Sequence, residues 1–294
     1  MAQQKIELRK VRDFSENMND TFVFIKQNLK PVTISFLGIS GIFMLAAAII
    51  QGIYQNEMGG IFEQILKGTT TSSPLPLELF SSTYFLVGLF AWINIIAMRV
   101  TLIAYVKVYE SKDGETPTMP EVWGEFKKYF LKVLVYSIPV ILLIFIGFVF
   151  CIAPGFYLLV VLMPFEIVLM VENKGFSEAF SRCYVIIKEN FWQSFGIYLV
   201  AYLIYSFTSG IIGGVIALIT GAISYFTTKD ITASVALVTS ILNIFSFVFY
   251  IIFFISAILN YYSLAEKFDG TGILRRLNNL GGSNNNFNNT EEQY

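Results

Sequence analysis

Six stretches of this chain stay apolar for roughly the 20 residues a helix needs to cross the hydrocarbon of a bilayer: 31–54, 79–106, 133–152, 156–171, 192–223 and 233–265. A backbone inside hydrocarbon must satisfy its own N–H and C=O groups, so each stretch is read as an α-helix and not as a loop or an open strand. Composition agrees, because 55% of the chain is hydrophobic and 14% charged, where soluble domains carry about a quarter charged residues. The expectation is an all-α, polytopic membrane protein with six transmembrane helices. The fourth stretch is the shortest, and it contains Pro164 and Glu166.

The spans fall into a pattern. Phe14-Ser15-Glu16 leads to Val23-Phe24-Ile25-Lys26-Gln27-Asn28, and 162 positions later Phe176-Ser177-Glu178 leads to Val185-Ile186-Ile187-Lys188-Glu189-Asn190. A weaker copy lies between them, with Phe126, Lys128, Leu131 and Lys132 over Phe24, Lys26, Leu29 and Lys30. Self-similarity at a fixed offset marks a repeated structural unit. The unit read here is a cytoplasmic amphipathic helix followed by a transmembrane hairpin, three times over. In the first copy Phe14, Met18, Phe22, Ile25 and Leu29 recur at helical spacing, and in the last Phe176, Phe180, Cys183, Tyr184 and Ile187 do. Such helices are expected to lie in the membrane plane as collars around the bundle, or to serve as docking surfaces for partners or anionic lipid. Ser15 and Ser177 are the expected N-caps.

Orientation follows from lysine and arginine. They gather before the first span (Lys5, Arg9, Lys10, Arg12, Lys26, Lys30), in the second connection (Lys107, Lys112, Lys127, Lys128, Lys132), in the fourth (Lys174, Arg182, Lys188) and in the tail (Lys267, Arg275, Arg276). The opposite connections hold Lys67 and Lys229. The positive-inside rule therefore places both termini in the cytoplasm. The outer connections are 55–78, the tight Ala153-Pro154-Gly155 and 224–232. The first 30 residues form the amphipathic N-terminus, 31–265 the transmembrane domain, 266–280 a short cytoplasmic helix, and 281–294 an Asn-rich tail too polar to bury a core and so expected to be disordered.

Chemistry is sparsely supplied. The chain has no histidine, which removes the commonest general base and metal ligand together. No phosphate loop, hydrolase elbow or metal-ligand spacing is present, so neither a cofactor nor a metal site is expected, and nucleic acid finds no free basic patch. Cys151 and Cys183 are expected at different levels and unbridged. Arg99 and Glu166 are the charged residues deep in spans, and intramembrane charges are costly enough to be functional candidates. Arg99 precedes Lys107 by eight residues and Glu166 precedes Glu172 by six, which puts both about 10 Å inside the cytoplasmic boundary. A structural ion pair is the main reading, with a substrate or proton site and separate snorkelling as alternatives. Asn94 and Asn243 are mid-span amides suited to interhelical hydrogen bonds. Ser206, Gly210 and Gly214, with Gly213, Ala217 and Gly221, form small-residue stripes that allow close packing within the bundle or between copies. Pro139 and Pro164 are expected to kink their spans.

The start Leu8-Arg9-Lys10-Val11-Arg12-Asp13-Phe14, the run from Asn19 to Asn28, and the ending Tyr262-Ser263-Leu264-Ala265-Glu266-Lys267 with Gly270-Thr271-Gly272 resemble six-span inner-membrane proteins of the Bacteroidota. More distantly, Ala153-Pro154-Gly155-Phe156-Tyr157-Leu158 with Glu172, Gly175, Glu178 and Ala179 resembles the membrane domain fused to some glycerophosphodiester phosphodiesterases. The catalytic half of those enzymes has no counterpart in this sequence. The first resemblance implies a bacterial cytoplasmic membrane and a neighbourhood of MoxR-type ATPases and other membrane proteins. The reading is a non-catalytic subunit or organiser of a membrane complex, with a small-molecule or lipid transporter as the alternative.

Overall fold

The computed structural model describes residues 5–66, 82–227 and 231–270, with side chains at all of these except 56, 59–66, 216, 220–221, 223–227 and 231–246. The described backbone forms α1 (Phe14–Leu66), α2 (Ser82–Ser111), α3 (Met119–Phe150), α4 (Ile152–Leu162), α5 (Phe165–Val171), α6 (Phe176–Lys188), α7 (Phe191–Thr227) and α8 (Ile231–Asp269). Six runs are long and apolar enough to cross a membrane: Phe14–Gln55, Ser82–Ser111, Met119–Phe150, Ile152–Val171, Phe191–Ile219 and Phe247–Asp269. The all-α polytopic fold therefore stands. The tail from residue 271, the side chain of Asn243 and that of Gly221's neighbourhood at 220–221 lie outside what is described.

The outer surface says what surrounds the bundle. Ile42, Phe145, Phe150 and Phe207 are each more than 60% exposed. In water, hiding a side chain of this size is worth about 1.5–3 kcal/mol, so a folded soluble domain would not leave so many out. Hydrocarbon removes that driving force, and helix association rests instead on packing and interhelical hydrogen bonds. α8 lies between α1 and α7, α2 meets α1, α3, α5 and α8, and α3 folds back on α4. Burial is densest over Ile96–Tyr109 of α2, 160–170 of α4 and α5, and 250–265 of α8. α3 contributes only a stripe of Val122, Phe126, Val133, Ser137, Val140 and Gly147.

Several local expectations need correction. The first two amphipathic segments are not separate helices in the membrane plane: α1 runs through Pro31 and α3 through residues 126–133 without a break. Only the last copy is a helix of its own, α6, separated from α7 by Glu189 and Asn190. Nor is the apolar stripe of α1 its packed face. Phe14, Phe22 and Leu29 are exposed, while Asn17, Met18, Thr21, Phe24 and Asn28 are buried. Thr21 and the Asn28 amide donate to the carbonyls of Asn17 and Phe24 in α1 itself, the Tyr105 hydroxyl of α2 donates to Asn28 Oδ1 at 3.1 Å, and the buried Asn17 amide has no partner among the described residues. In α6, by contrast, Ala179, Cys183, Ile186 and Ile187 are buried, and Tyr184 faces out.

The helix caps also sit elsewhere. Asp13, not Ser15, caps α1, its Oδ1 accepting from the Glu16 N–H at 2.7 Å while Glu16 reaches back to the Asp13 N–H. Gly175, not Ser177, precedes α6, with its N–H donating to Glu178. A carboxylate at the third helical position beats a serine two residues late, because it meets both the orphan N–H and the positive end of the helix. Ala153, Pro154 and Gly155 are not a turn but the first turns of α4, where proline's missing N–H costs nothing. The chain reverses at Cys151 alone, held extended with φ −167°. Both cysteines are free, Cys151 exposed and Cys183 buried. Pro139 stays inside a continuous α3, whereas Pro164 separates α4 from α5. The boundary read before Glu266 falls inside α8, which ends at Gly270, where φ of +62° favours glycine.

Positions 162 apart share burial through the first turns of both copies and on into the spans. Asn17 and Ala179, Thr21 and Cys183, Phe24 and Ile186, Val32 and Ser194, Phe36 and Tyr198, and Ile39 and Ala201 are all buried. One hydrogen bond recurs at the same offset. Tyr105 of α2 donates to Asn28 of α1, and Lys267 of α8 donates to Asn190 just before α7.

The one-residue reversal at Cys151 brings α3 and α4 into contact at two glycines. A Cβ on Gly155 would sit 2.5 Å from the Phe148 ring, and one on Gly147 would sit 3.1 Å from the Gly155 backbone. Gly155→Val should lower stability in detergent by about 1–3 kcal/mol, the usual range for forced overpacking. Gly88→Ala, whose Cβ meets open space, should be neutral or stabilising, as measured by thermal unfolding of the purified protein.

Candidate functional site

α2 carries Arg99 on the face turned toward α5 and α8. The break at Met163 and Pro164 starts α5 with Phe165 and Glu166, turning Glu166 inward so that its side chain is only 7% exposed. Arg99 Nη1 lies 3.1 Å from Glu166 Oε1 and 3.3 Å from Oε2. Arg99 Nε donates to the Tyr250 hydroxyl at 2.9 Å, and the guanidinium carbon stands 5.5 Å from the centre of the Phe254 ring. A planar guanidinium suits this arrangement, since it can offer several donors in a plane while its face meets an aromatic. The pair thus joins the second, fourth and sixth spans.

The pair borders a cavity of about 610 Å³ between α2, α3, α4, α5, α7 and α8. Its wall is mainly apolar, with Ile95, Val140, Ile144, Leu159 and Phe253, and its polar groups are Trp92, Arg99, Ser137, Glu166, Tyr202 and Tyr250. Trp92 Nε1 is buried with no hydrogen-bond partner among the described residues. Tyr250, Tyr202 and Trp92 gave no sign in the sequence, because aromatic residues are frequent throughout these spans and only the crossing of α2, α7 and α8 selects them. Asn94, expected to bridge helices, is buried, and its Oδ1 has no partner among the described residues. Short polar side chains bridge helices elsewhere: Ser40 and Thr101 are 2.9 Å apart between α1 and α2, and Asn260 donates to Ser194 and Tyr198 of α7 at 3.1 Å each. Ser206 and Gly210 are exposed on α7, and a Cβ at Gly210, Gly213 or Gly214 would meet no described atom within 4 Å.

A second polar concentration closes the end of the bundle where residues 5–13, α6 and the end of α8 come together. Arg9 pairs with Glu110 at 2.6 Å, and the Tyr262 hydroxyl donates to the other oxygen of Glu110 at 2.7 Å. Arg12 is fully enclosed. It pairs with Asp20 at 2.8 Å, and its remaining N–H groups donate to the carbonyls of Glu7, Leu8 and Lys10, so the N-terminal segment winds around it. Arg182 of α6 bridges Glu172 and Asp269, and Tyr261 donates to Glu172 at 2.8 Å. Burial opposes the charge on Glu172, but hydrogen bonds from Lys174, Tyr261 and Arg182 outweigh it and hold the carboxyl below the usual range. Burial likewise works against the Arg182 cation, and its bonds to Asp269 and Glu172 reverse the balance, raising its pKa. Among the described residues no group of three or more His, Cys, Asp or Glu side chains is placed to hold a metal ion.

Comparison with protein-family models, with curated proteins and with solved structures finds no match to this chain.

Arg99→Leu and Glu166→Leu should each cost about 3–5 kcal/mol, because each leaves a buried charge unpaired. The double variant should lose clearly less than the sum of the singles in detergent unfolding, and strict additivity would show that the pair contributes no coupling. At the end of the bundle the pKa of Glu172 is lower folded than unfolded, so its stabilisation is present above the unfolded value of about 4.3 and disappears as pH falls through the folded one. Between about pH 5 and pH 3 the parent should therefore lose more stability than Glu172→Gln.

Proposed function

We propose that the chain is a non-catalytic, multi-pass protein of the bacterial cytoplasmic membrane, with both termini in the cytoplasm, that serves as a subunit or organiser of a membrane complex. The observation that carries this reading is the set of ion pairs joining different elements at one end of the bundle: Arg9 to Glu110, and Arg182 to both Glu172 and Asp269. Pairs of this kind tie the N-terminal segment, α2, α6 and α8 into one platform. α6 leaves Ser181, Tyr184, Val185 and Lys188 exposed on it, an aromatic and apolar pair flanked by polar residues, as in an interface core with a polar rim. The lysine and arginine distribution supports a cytoplasmic position for this end. The paired burial and the shared hydrogen bond at an offset of 162 support an origin of the bundle in a repeated helical unit. The resemblance to inner-membrane proteins encoded beside MoxR-type ATPases makes a cytoplasmic ATPase or another membrane subunit the expected partner.

Orientation is tested with single cysteines in a Cys151→Ser, Cys183→Ala background. Glu57→Cys should react with an impermeant thiol reagent on intact spheroplasts, and Ser181→Cys only after lysis. Purification in mild detergent followed by native mass spectrometry should find a partner at fixed stoichiometry that is lost from the Tyr184→Glu, Val185→Glu variant while the variant stays folded. The cavity beside Arg99 favours the carrier as a second reading. A chain that purifies alone and moves a solute into reconstituted vesicles would replace the complex subunit with that carrier.

A further inference from the structure

The cavity beside Arg99 has an imbalance of hydrogen-bonding groups. A guanidinium offers five N–H donors. Here Nε is used by Tyr250 and Nη1 by both oxygens of Glu166, while Nη2 has no partner among the described residues. The Tyr250 oxygen accepts from Arg99, which leaves its own O–H to give, and Trp92 Nε1 is a buried donor without a partner. Arg99 and Tyr250, from α2 and α8, thus hold donors in reserve on the cavity wall, and the one carboxylate beside them is already engaged. Buried donors are ordinarily satisfied, by protein or by something bound.

Charge narrows the choice. Arg99 and Glu166 cancel, so an anion entering here would bring an uncompensated charge next to the Glu166 carboxylate in a medium that screens poorly. The remaining wall is apolar, and a volume of about 610 Å³ lies within the usual range for small-molecule sites, roughly 300–1,000 Å³. We propose that this cavity binds a membrane-soluble amphiphile whose head group is uncharged and rich in hydrogen-bond acceptors, such as ketone or ester carbonyls, with its apolar tail along Ile95, Ile141 and Phe253. The head sits against Arg99 Nη2 and the Tyr250 hydroxyl, with the Trp92 ring lining the same wall. The site stands whether the bound molecule is transported or serves as a permanent structural lipid, so it does not depend on either reading of function.

Trp92 is a reporter inside the site. The chain has three tryptophans, and Trp123→Phe with Trp192→Phe leaves Trp92 alone. That protein, in detergent, is titrated with three probes: 2-methyl-3-phytyl-1,4-naphthoquinone, diacylglycerol with brominated acyl chains, and phosphatidic acid with the same brominated chains, with fluorescence corrected for probe absorption. Saturable quenching is expected from the naphthoquinone or the diacylglycerol, and whichever saturates identifies a quinone or a glycerolipid ester as the source of the carbonyls. Phosphatidic acid should bind at least about tenfold more weakly, a difference of about 1.4 kcal/mol or more. Gly88→Phe, which fills the cavity from a position where an added Cβ meets no described atom, should abolish saturation without lowering the melting temperature. Tyr250→Phe should weaken binding several-fold while retaining the ring. Quenching that rises linearly with every probe, or that Gly88→Phe leaves unchanged, would overturn the site, and tighter binding of phosphatidic acid would overturn the uncharged head group.

Discussion

In hydrocarbon an unpaired N–H or C=O has no water to turn to, and each one left open costs several kcal/mol. That constraint makes the described apolar stretches helices and decides where helices are allowed to stop. α3 and α4 are parted by a single extended residue, Cys151, whose N–H still reaches Gly147 O, and Pro154 falls in the first turn of α4, where no helical donor is lost. At Met163 and Pro164 the chain does break inside a span, and the break is tolerated within a packed interior, where Phe165 and Ile167 are buried. Where helices start outside the apolar runs, glutamates accept from the free N–H groups of Asp13, Thr118 and Gly175.

The same scarcity of water governs the charged groups. Arg99 and Glu166 share one pocket with Tyr250, and the break at Pro164 that interrupts the fourth span is what starts a new helix with Glu166 in its first turn. At the other polar level the arginines are held by carboxylates, of which Glu110 and Asp269 come from distant parts of the chain. Arg12 alone gathers the carbonyls of the segment before it, and Arg182 ties α6 to the end of α8. The polar groups thus divide by level, with ionic cross-links at the end of the bundle and a guanidinium–carboxylate pair beside a cavity within the apolar layer.

Much of this was legible in one dimension, and the misses have identifiable causes. The spans could be read because bilayer thickness sets their length, and counting back from flanking charges put Arg99 and Glu166 at one depth. Tyr250 and Trp92 could not be read, since their roles come from three helices crossing. The packed face of α1 was misassigned because hydrophobic periodicity assumes water on one side; with lipid there, Phe22 and Leu29 face out and Asn17, Thr21 and Asn28 face in. Residue type alone points to Ser15 and Ser177 as caps, yet the donor geometry favours Asp13 and Gly175, each with a glutamate three residues on.

By itself, the sequence determined the class of fold, the number of spans and the 162-residue offset between similar segments, because apolar length and local similarity are properties of the chain alone. Only the tertiary structure decided which polar atoms meet. It chose Ser40 with Thr101 over a bond from Asn94, and it set the guanidinium of Arg99 against one carboxylate and one phenol while leaving donors facing a cavity. Those choices depend on how helices rotate and cross, and in a membrane the apolar surfaces scarcely bias rotation. Close packing and the pairing of buried polar groups settle it, and both exist only once the helices have come together.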